Sequence, residues 1–251
     1  MKEVYKRPKY LKPVSSHYCP GCGHSITHRL VAEILEEMGL GERSVGVAPA
    51  GCAVLAYNYL DIDIVEAAHG RGAAVATGIK RCLPDQLVFT YQGDGDLAAI
   101  GTAETIHAAS RAENISIIFI NNAIYGMTGG QMAPTTLLGM KATTAPEGRS
   151  VAREGYPLDI SHLVAEIPGS AYVVRVMVTS PKTINQTKKA IREAFECQLA
   201  REGFSLVEVL SPCPINWKME PVQACRWIET EMVEHYPPGV LVDRRKSKAK
   251  G

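Results

Sequence analysis

Long apolar runs are missing from this 251-residue chain. Its longest uncharged stretch, residues 44–60, is broken by Gly46, Pro49, Gly51 and Asn58. It falls short of the roughly 20 apolar residues a membrane span needs, so no membrane role is expected. A dominant charge is missing too: 27 Lys and Arg stand against 26 Asp and Glu, a formal net charge of +1. That excludes a whole-protein field for nucleic acid or an anionic surface. A secretory leader is not seen, because the basic, Pro-broken residues 1–13 lead into no apolar segment, and a cytoplasmic protein is the expectation. Aromatic residues make up only 6% of the chain, and the seven cysteines are an odd number, which argues against a disulfide framework in a reducing compartment. Metal binding or catalysis is the better use for them.

What is present is a globular composition, 46% hydrophobic with 22 Gly and 15 Pro. A chain of this length buries roughly 72% of its unfolded surface, enough for a core without staples. No repeat, low-complexity tract or linker divides it, so a single domain over 1–251 is expected, with an N-terminal extension at 1–17. A basic tail at 244–251, carrying Arg244, Arg245, Lys246, Lys248 and Lys250, reads as frayed and solvated.

Helix-spaced segments at 24–38, 70–81, 98–112, 181–201 and 221–235 alternate with β-branched runs at 45–48, 87–91, 115–120, 172–178 and 205–210. In the first helix Ile26, Leu30, Ile34 and Met38 make one apolar face, and Gly39 ends it. The runs 87–91 and 115–120 are apolar on nearly every residue, as strands covered on both faces are. The rhythm predicts an α/β fold with a doubly wound, mainly parallel sheet. Residues 123–160 lose the pattern, a connection too long to be idle.

After the run 87–91 comes Gly93-Asp94-Gly95-Asp96, opening a helix. Glycines allow close approach of backbone to an oxygen-rich ligand, and a helix start favours anions. The Asp94 carboxylate would repel a phosphate unless a hard cation stood between them, and Mg²⁺ accepts carboxylate, amide and phosphate oxygens. Twenty-eight positions on, Asn121-Asn122 closes the next strand. Neighbouring parallel strands set their carboxyl ends side by side, so Asp94 and Asn122 are predicted to converge. Taken singly, each motif reads as an ordinary turn.

Cys19-Pro20-Gly21-Cys22-Gly23-His24 is a Cys-x-x-Cys pair on a tight turn. Cys52, after Gly51, and Cys213, between Pro212 and Pro214, follow predicted strands and should share the same rim of the sheet. By ligand count, four thiolates suit Zn²⁺ and a 4Fe-4S cluster equally. Cys82, Cys197 and Cys225 fall in helical segments and read as small apolar residues.

Gly-Asp-Gly followed by Asn-Asn at this spacing resembles the thiamine diphosphate motif. It occurs with Cys19–His24, His69-Gly70-Arg71, Ala76–Lys80, and the run from Asn121 to Gln131, in that order. Over 18–243 the chain resembles the beta subunit, the thiamine diphosphate-binding one, of 2-oxoacid:ferredoxin oxidoreductases. Met127–Gln131 and Pro134-Thr135-Thr136 resemble the branch acting on 2-oxoglutarate or branched-chain 2-oxoisovalerate. The resemblance implies that Asp94, the Asn122 side chain and the Ile124 carbonyl hold Mg²⁺. It implies that His24, Gly51, His69, Gly70, Gly93, Gly95, Asp96, Tyr125 and Thr128 surround thiamine diphosphate. It also selects a 4Fe-4S cluster on Cys19, Cys22, Cys52 and Cys213. A blander reading of His69 is a helix-capping histidine.

One departure is Gly101-Thr102-Ala103-Glu104, where the family pattern has Gly-Gly-Asn-His, so the role of that helix start is open. Glu104 reads as a first-turn acid. The glutamate that activates the cofactor is expected from an alpha subunit. The expected reaction is oxidative decarboxylation of a 2-oxoacid to acyl-CoA and CO₂, with electrons passing singly through the cluster to ferredoxin. Coenzyme A would accept the acyl group, and gamma and delta subunits are further candidates for electron relay. A non-redox thiamine diphosphate decarboxylase or synthase with structural cysteines is the alternative.

Overall fold

A computed structural model describes residues 6–245. The main sheet is built from β1 (Ser44–Pro49), β2 (Asp63–Ala67), β3 (Leu87–Gly93), β4 (Ser116–Asn121), β7 (Ser170–Met177), β8 (Phe204–Leu210) and β9 (Gly239–Asp243), in the order β2-β1-β3-β4-β8-β7-β9. Every neighbouring pair is parallel except β7 with β9. A separate two-stranded ribbon joins β5 (Ile124–Tyr125) to β6 (Gln131–Met132).

Period-2 alternation explains why the central strands read as continuous apolar runs. Along β4, Ile118 and Ile120 enter one core while Ile117 and Phe119 enter the other. The first core packs Val31, Ile34 and Leu35 of α1 (His24–Glu37) against the sheet together with Ile191 and Phe195 of a later helix, Pro181–Leu199. The second packs α2 (Gly72–Cys82), α3 (Thr102–Ser110) and α5 (Ile160–Glu166), with the one-turn α4 (Val151–Glu154) lying between α3 and α5 in the chain. The long helix, α6 (Pro181–Leu199), starts with Pro181 in its first turn and a capping box between Ser180 and Thr183. The chain then runs through α7 (Pro214–Trp217), α8 (Pro221–Trp227) and α9 (Val233–His235).

The doubly wound parallel sheet is as the sequence predicts, and four details differ. β2 and β9 are edge strands with exposed residues and acids among them, so neither shows an apolar run. The helix expected at 98–112 opens one residue after Gly95 as a turn of π-type helix, Asp96–Ile100, closed by Gly101 N–H on the Asp96 carbonyl at 2.8 Å. The segment 123–160 is ordered by buried Arg149, whose guanidinium donates to the carbonyls of Pro134, Thr136 and Tyr156 at 2.6–2.7 Å.

The fourth detail corrects the frayed tail. Arg244 donates to the carbonyls of Ala165 and Ser170. Arg245 is buried, pairs with Glu193 and Asp243, and lies over the Tyr172 ring at 4.0 Å. Those charges are anchored because carboxylates and an aromatic face meet them; residues 246–251 lie outside the described residues, as do 1–5. Part of the N-terminal extension packs on the body: Tyr10 is buried and fills the space beside Gly41, and Leu11 bridges to Leu60. Among the described residues no helix is long and apolar enough to cross a membrane.

Candidate cofactor site

β3 and β4 run in register, with Gly93 opposite Ile120, so Asp94 and Asn122 leave the sheet side by side. A cavity of about 530 Å³ opens there. Asp94 is 3% exposed. Its Oδ1 accepts the Gly95 N–H at 2.8 Å, and its Oδ2 accepts the Asn122 N–H at 3.3 Å, the Ile124 N–H at 3.2 Å and the Thr135 hydroxyl at 2.8 Å. Burial pushes the carboxyl up to about 6, against the pull of those hydrogen bonds. A buried acid with this many donors still lacks a counter-charge.

Beside it, Asn122 Oδ1 is buried with no hydrogen-bond partner. An orphaned acceptor next to a buried carboxylate is costly unless a cation completes both. The local backbone is built for this. Asn121 donates to Glu208 at 2.7 Å and accepts the Ala123 N–H at 3.1 Å, and Ala123 takes φ +57°, which turns the Ile124 amide back onto Asp94. That left-handed alanine costs roughly 1–2 kcal/mol. An Asp carboxylate, an Asn oxygen and the neighbouring Ile124 carbonyl are the hard oxygen donors that Mg²⁺ takes, so these residues fit the metal.

The expected cofactor residues sort into walls and supports. His24, Gly51, His69, Gly93, Gly95, Asp96, Tyr125 and Thr128 line the cavity, as do Asp94, Asn122, Ile124 and Cys52. Gly70 does not: at φ +77° it packs against Ile100 and Gly101, and its N–H donates to Asp96 Oδ1 at 2.5 Å. Asp96 also accepts from Gln92 at 2.5 Å and stands 3.1 Å from His69 Nδ1. It therefore clamps the 69–70 loop to the strand end. His69 Nδ1 also lies 2.7 Å from the Ala50 carbonyl; with two acceptors about it, Nδ1 carries a proton. Glu104 pairs with Arg71 at 2.5 Å and does not line the cavity, as a first-turn acid would.

Gly95 is required by a close approach: a Cβ there would stand 2.1 Å from the Tyr125 ring, whose hydroxyl donates to the Gly95 carbonyl at 3.1 Å. His24, in the first turn of α1, is fully buried, pushed down to about 4 by burial and secondarily by His17, and lies 2.8 Å from the Tyr91 hydroxyl. Thr135 and Gly126 stand in quoted motifs but without a site role, and sequence reasoning assigns no role to Gln92 or His28. His28 is buried among Tyr18, Tyr59 and Tyr91 with both ring nitrogens unpartnered, and burial holds it well below its ordinary pKa. Its only sequence signal is the four-residue step from His24 on one helix face.

The four expected cysteine ligands gather at this rim. Cys52 lines the cavity, and a Cβ placed on Gly126 would lie 3.2 Å from Cys52 Sγ and 3.8 Å from Cys213 Sγ. Burial, and then the charges of Cys213, Cys52 and Cys19, push the Cys22 thiol up to about 12 despite a backbone hydrogen bond; burial, and then Cys213, Cys19 and Asp94, push Cys52 to about 11. Among the described residues no three His, Cys, Asp or Glu side chains are drawn tightly enough round one point to hold a single metal ion.

The family described as thiamine pyrophosphate enzyme, C-terminal TPP binding domain, matches residues 49–209, which include Asp94, Asn122 and the whole β3–β4 rim. Ketoisovalerate oxidoreductase subunit VorA of Methanothermobacter marburgensis is 46% identical over 97% of this chain and 51% of its own length. 2-Oxoglutarate synthase subunit KorB of Archaeoglobus fulgidus is 38% identical over 91% of this chain and 81% of its own. The solved 2-oxoglutarate:ferredoxin oxidoreductase of Magnetococcus marinus, with 2-oxoglutarate, coenzyme A and succinyl-CoA bound, superposes with a TM-score of 0.73 at 30% identity, covering 84% of this chain and 69% of that one. The chain belongs to the thiamine pyrophosphate-binding subunits of the 2-oxoacid:ferredoxin oxidoreductase family. It spans about half the length of the VorA relatives it matches. Of the four cysteines, only Cys52 lies inside the matched thiamine pyrophosphate domain; Cys19, Cys22 and Cys213 flank it.

Proposed function

We propose that this chain, completed by an alpha subunit, catalyses oxidative decarboxylation of an apolar 2-oxoacid to acyl-CoA and CO₂, with ferredoxin as electron acceptor. Thiamine diphosphate would supply the nucleophilic carbon and electron sink, Mg²⁺ the bridge to its diphosphate, and a 4Fe-4S cluster single-electron transfer. The observation that carries the reading is the orphaned Asn122 Oδ1 beside buried Asp94, on a cavity that Cys52 also lines.

Within that scheme the chain's own residues bind and orient. Asp94, Asn122 and the Ile124 carbonyl hold the cation, and Gly93, with open space where a Cβ would stand, leaves room for a diphosphate. Asp96 fixes the His69 loop and so holds His69 on the cavity wall. His24, held by Tyr91, keeps water from the inner wall. Cys19, Cys22, Cys52 and Cys213 ligate the cluster next to that wall, and gamma and delta subunits would carry electrons onward. A cytoplasmic location is part of the proposal.

The substrate preference follows from the lining. Ala50, Ala53, Ile100 and Met127 contribute apolar surface, and no Lys or Arg is among the lining residues. A branched 2-oxoisovalerate side chain matches that wall, whereas the second carboxylate of 2-oxoglutarate would meet no cation among the described residues that line it. Ile100 and Met127 are half exposed at the mouth, as residues awaiting a partner's cover would be. The test is anaerobic co-expression with the alpha subunit and assay of CoA-dependent ferredoxin reduction. Turnover with 2-oxoisovalerate above 2-oxoglutarate supports the reading; no CoA-dependent reduction with either overturns it.

A further inference from the structure

We propose that Asn216 is a positioning residue that sets the reduction potential of the cluster on Cys19, Cys22, Cys52 and Cys213, using the same amide that fixes the cavity wall at Gly126. The inference rests on the cluster assignment above and adds to it a residue outside both ligand sets.

Asn216 lies in α7, three residues after Cys213. Its Nδ2 donates to Cys213 Sγ at 3.3 Å and to the Gly126 carbonyl at 3.1 Å, one hydrogen to each. The opposite amide orientation would set an oxygen against a carbonyl and a thiolate, so the donor assignment is fixed by its neighbours. Oδ1 faces Gly130, where a Cβ would come within 3.0 Å. Gly126 lines the cavity, and a Cβ there would stand 3.2 Å from Cys52 Sγ, 3.8 Å from Cys213 Sγ and 3.7 Å from Asn216 Nδ2. The amide thus ties the cavity wall at Gly126 to the Cys213 sulfur, with Cys52 Sγ beside the same glycine.

A cluster gains one negative charge on reduction, part of it on its ligand sulfurs. A hydrogen bond donated to such a sulfur stabilises the reduced form more than the oxidised one and raises the potential. Only the difference in that bond's strength between the two states shifts the one-electron equilibrium, so its loss changes it by at most about tenfold, equivalent to about 59 mV.

The test uses the co-expressed complex, prepared anaerobically, with iron and acid-labile sulfide measured first. Stepwise dithionite titration of the cluster's visible and electron paramagnetic resonance signals then gives its midpoint potential in wild type, N216L and N216D. The expected result is a shift to more negative potential in N216L and a larger one in the isosteric N216D, which places a charge where the donor was. Signals come only from loaded molecules, so partial cluster loss does not mask the shift. Loaded variants with the wild-type potential overturn the proposal, even if their thermal stability falls, because that pattern marks a merely structural amide. Wild-type complex without iron and sulfide overturns the cluster assignment itself, and the proposal with it.

Discussion

The Asn122 N–H donates to Asp94 Oδ2 at 3.3 Å, while the side-chain oxygen of the same asparagine is buried without a partner. One residue thus braces the carboxylate with its backbone and offers a second oxygen beside it. N122A should keep the fold, since its backbone bond survives, yet weaken Mg²⁺-dependent thiamine diphosphate binding by at least about tenfold, the loss of one charge-assisted ligand. Calorimetric titration with and without Mg²⁺ checks this. Unchanged affinity would remove Asn122 from the metal site.

How much of this was legible follows from where each group sits. Asp94 and Asn122 follow apolar strands, so parallel-sheet geometry alone brings them together. Thr135, which donates to Asp94 at 2.8 Å, comes from an irregular segment ordered by Arg149, and no periodicity points to either. β2 escapes notice because Asp63 and Glu66 face solvent at the sheet edge. Arg244 and Arg245 read as a solvated tail because their partners, among them Glu193 and the Ala165 carbonyl, lie far away in the chain.

Gly95 and Tyr125 compete for one volume. G95A forces the ring away from a Cβ 2.1 Å distant and should destabilise the chain by about 1–3 kcal/mol, the usual cost of overpacking. The double variant G95A/Y125A should recover part of that loss. Equal urea midpoints for wild type and G95A would contradict the fit.

Arg175 is fully buried between Glu208, at 2.7 Å, and Asp159, at 2.5 Å. R175M strands the Glu208 carboxylate and should cost about 3–5 kcal/mol. Burial alone would raise the Asp159 pKa, but Arg175 and His162 hold it below the ordinary value of 3.8. Its contribution is therefore full above the unfolded value and is lost as pH falls from about 4 through the lower folded value. Urea unfolding of wild type and R175M from pH 7 to pH 3 should show a steeper acid-dependent loss in wild type than in R175M, which keeps the His162 contact and the other paired carboxylates. The same slope in both would show that Asp159 does not act through Arg175.

Met127 stands half exposed on a cavity wall without Lys or Arg. In the co-expressed complex, M127K should shift the ratio of kcat/KM toward 2-oxoglutarate over 2-oxoisovalerate by about tenfold or more, since a carboxylate then meets a cation. An unchanged ratio would place substrate selection in the partner subunit.

The central claim is that an electron-carrying cluster stands beside a thiamine diphosphate site in one chain. The most direct measurement is iron, acid-labile sulfide and zinc on the anaerobically co-expressed complex, with C213A as control. The account predicts about four iron and four sulfide per copy of this chain, as a 4Fe-4S centre requires, and their loss in C213A. Zinc in their place, or no metal with thiamine diphosphate still bound, would contradict it and leave a thiamine enzyme without redox chemistry.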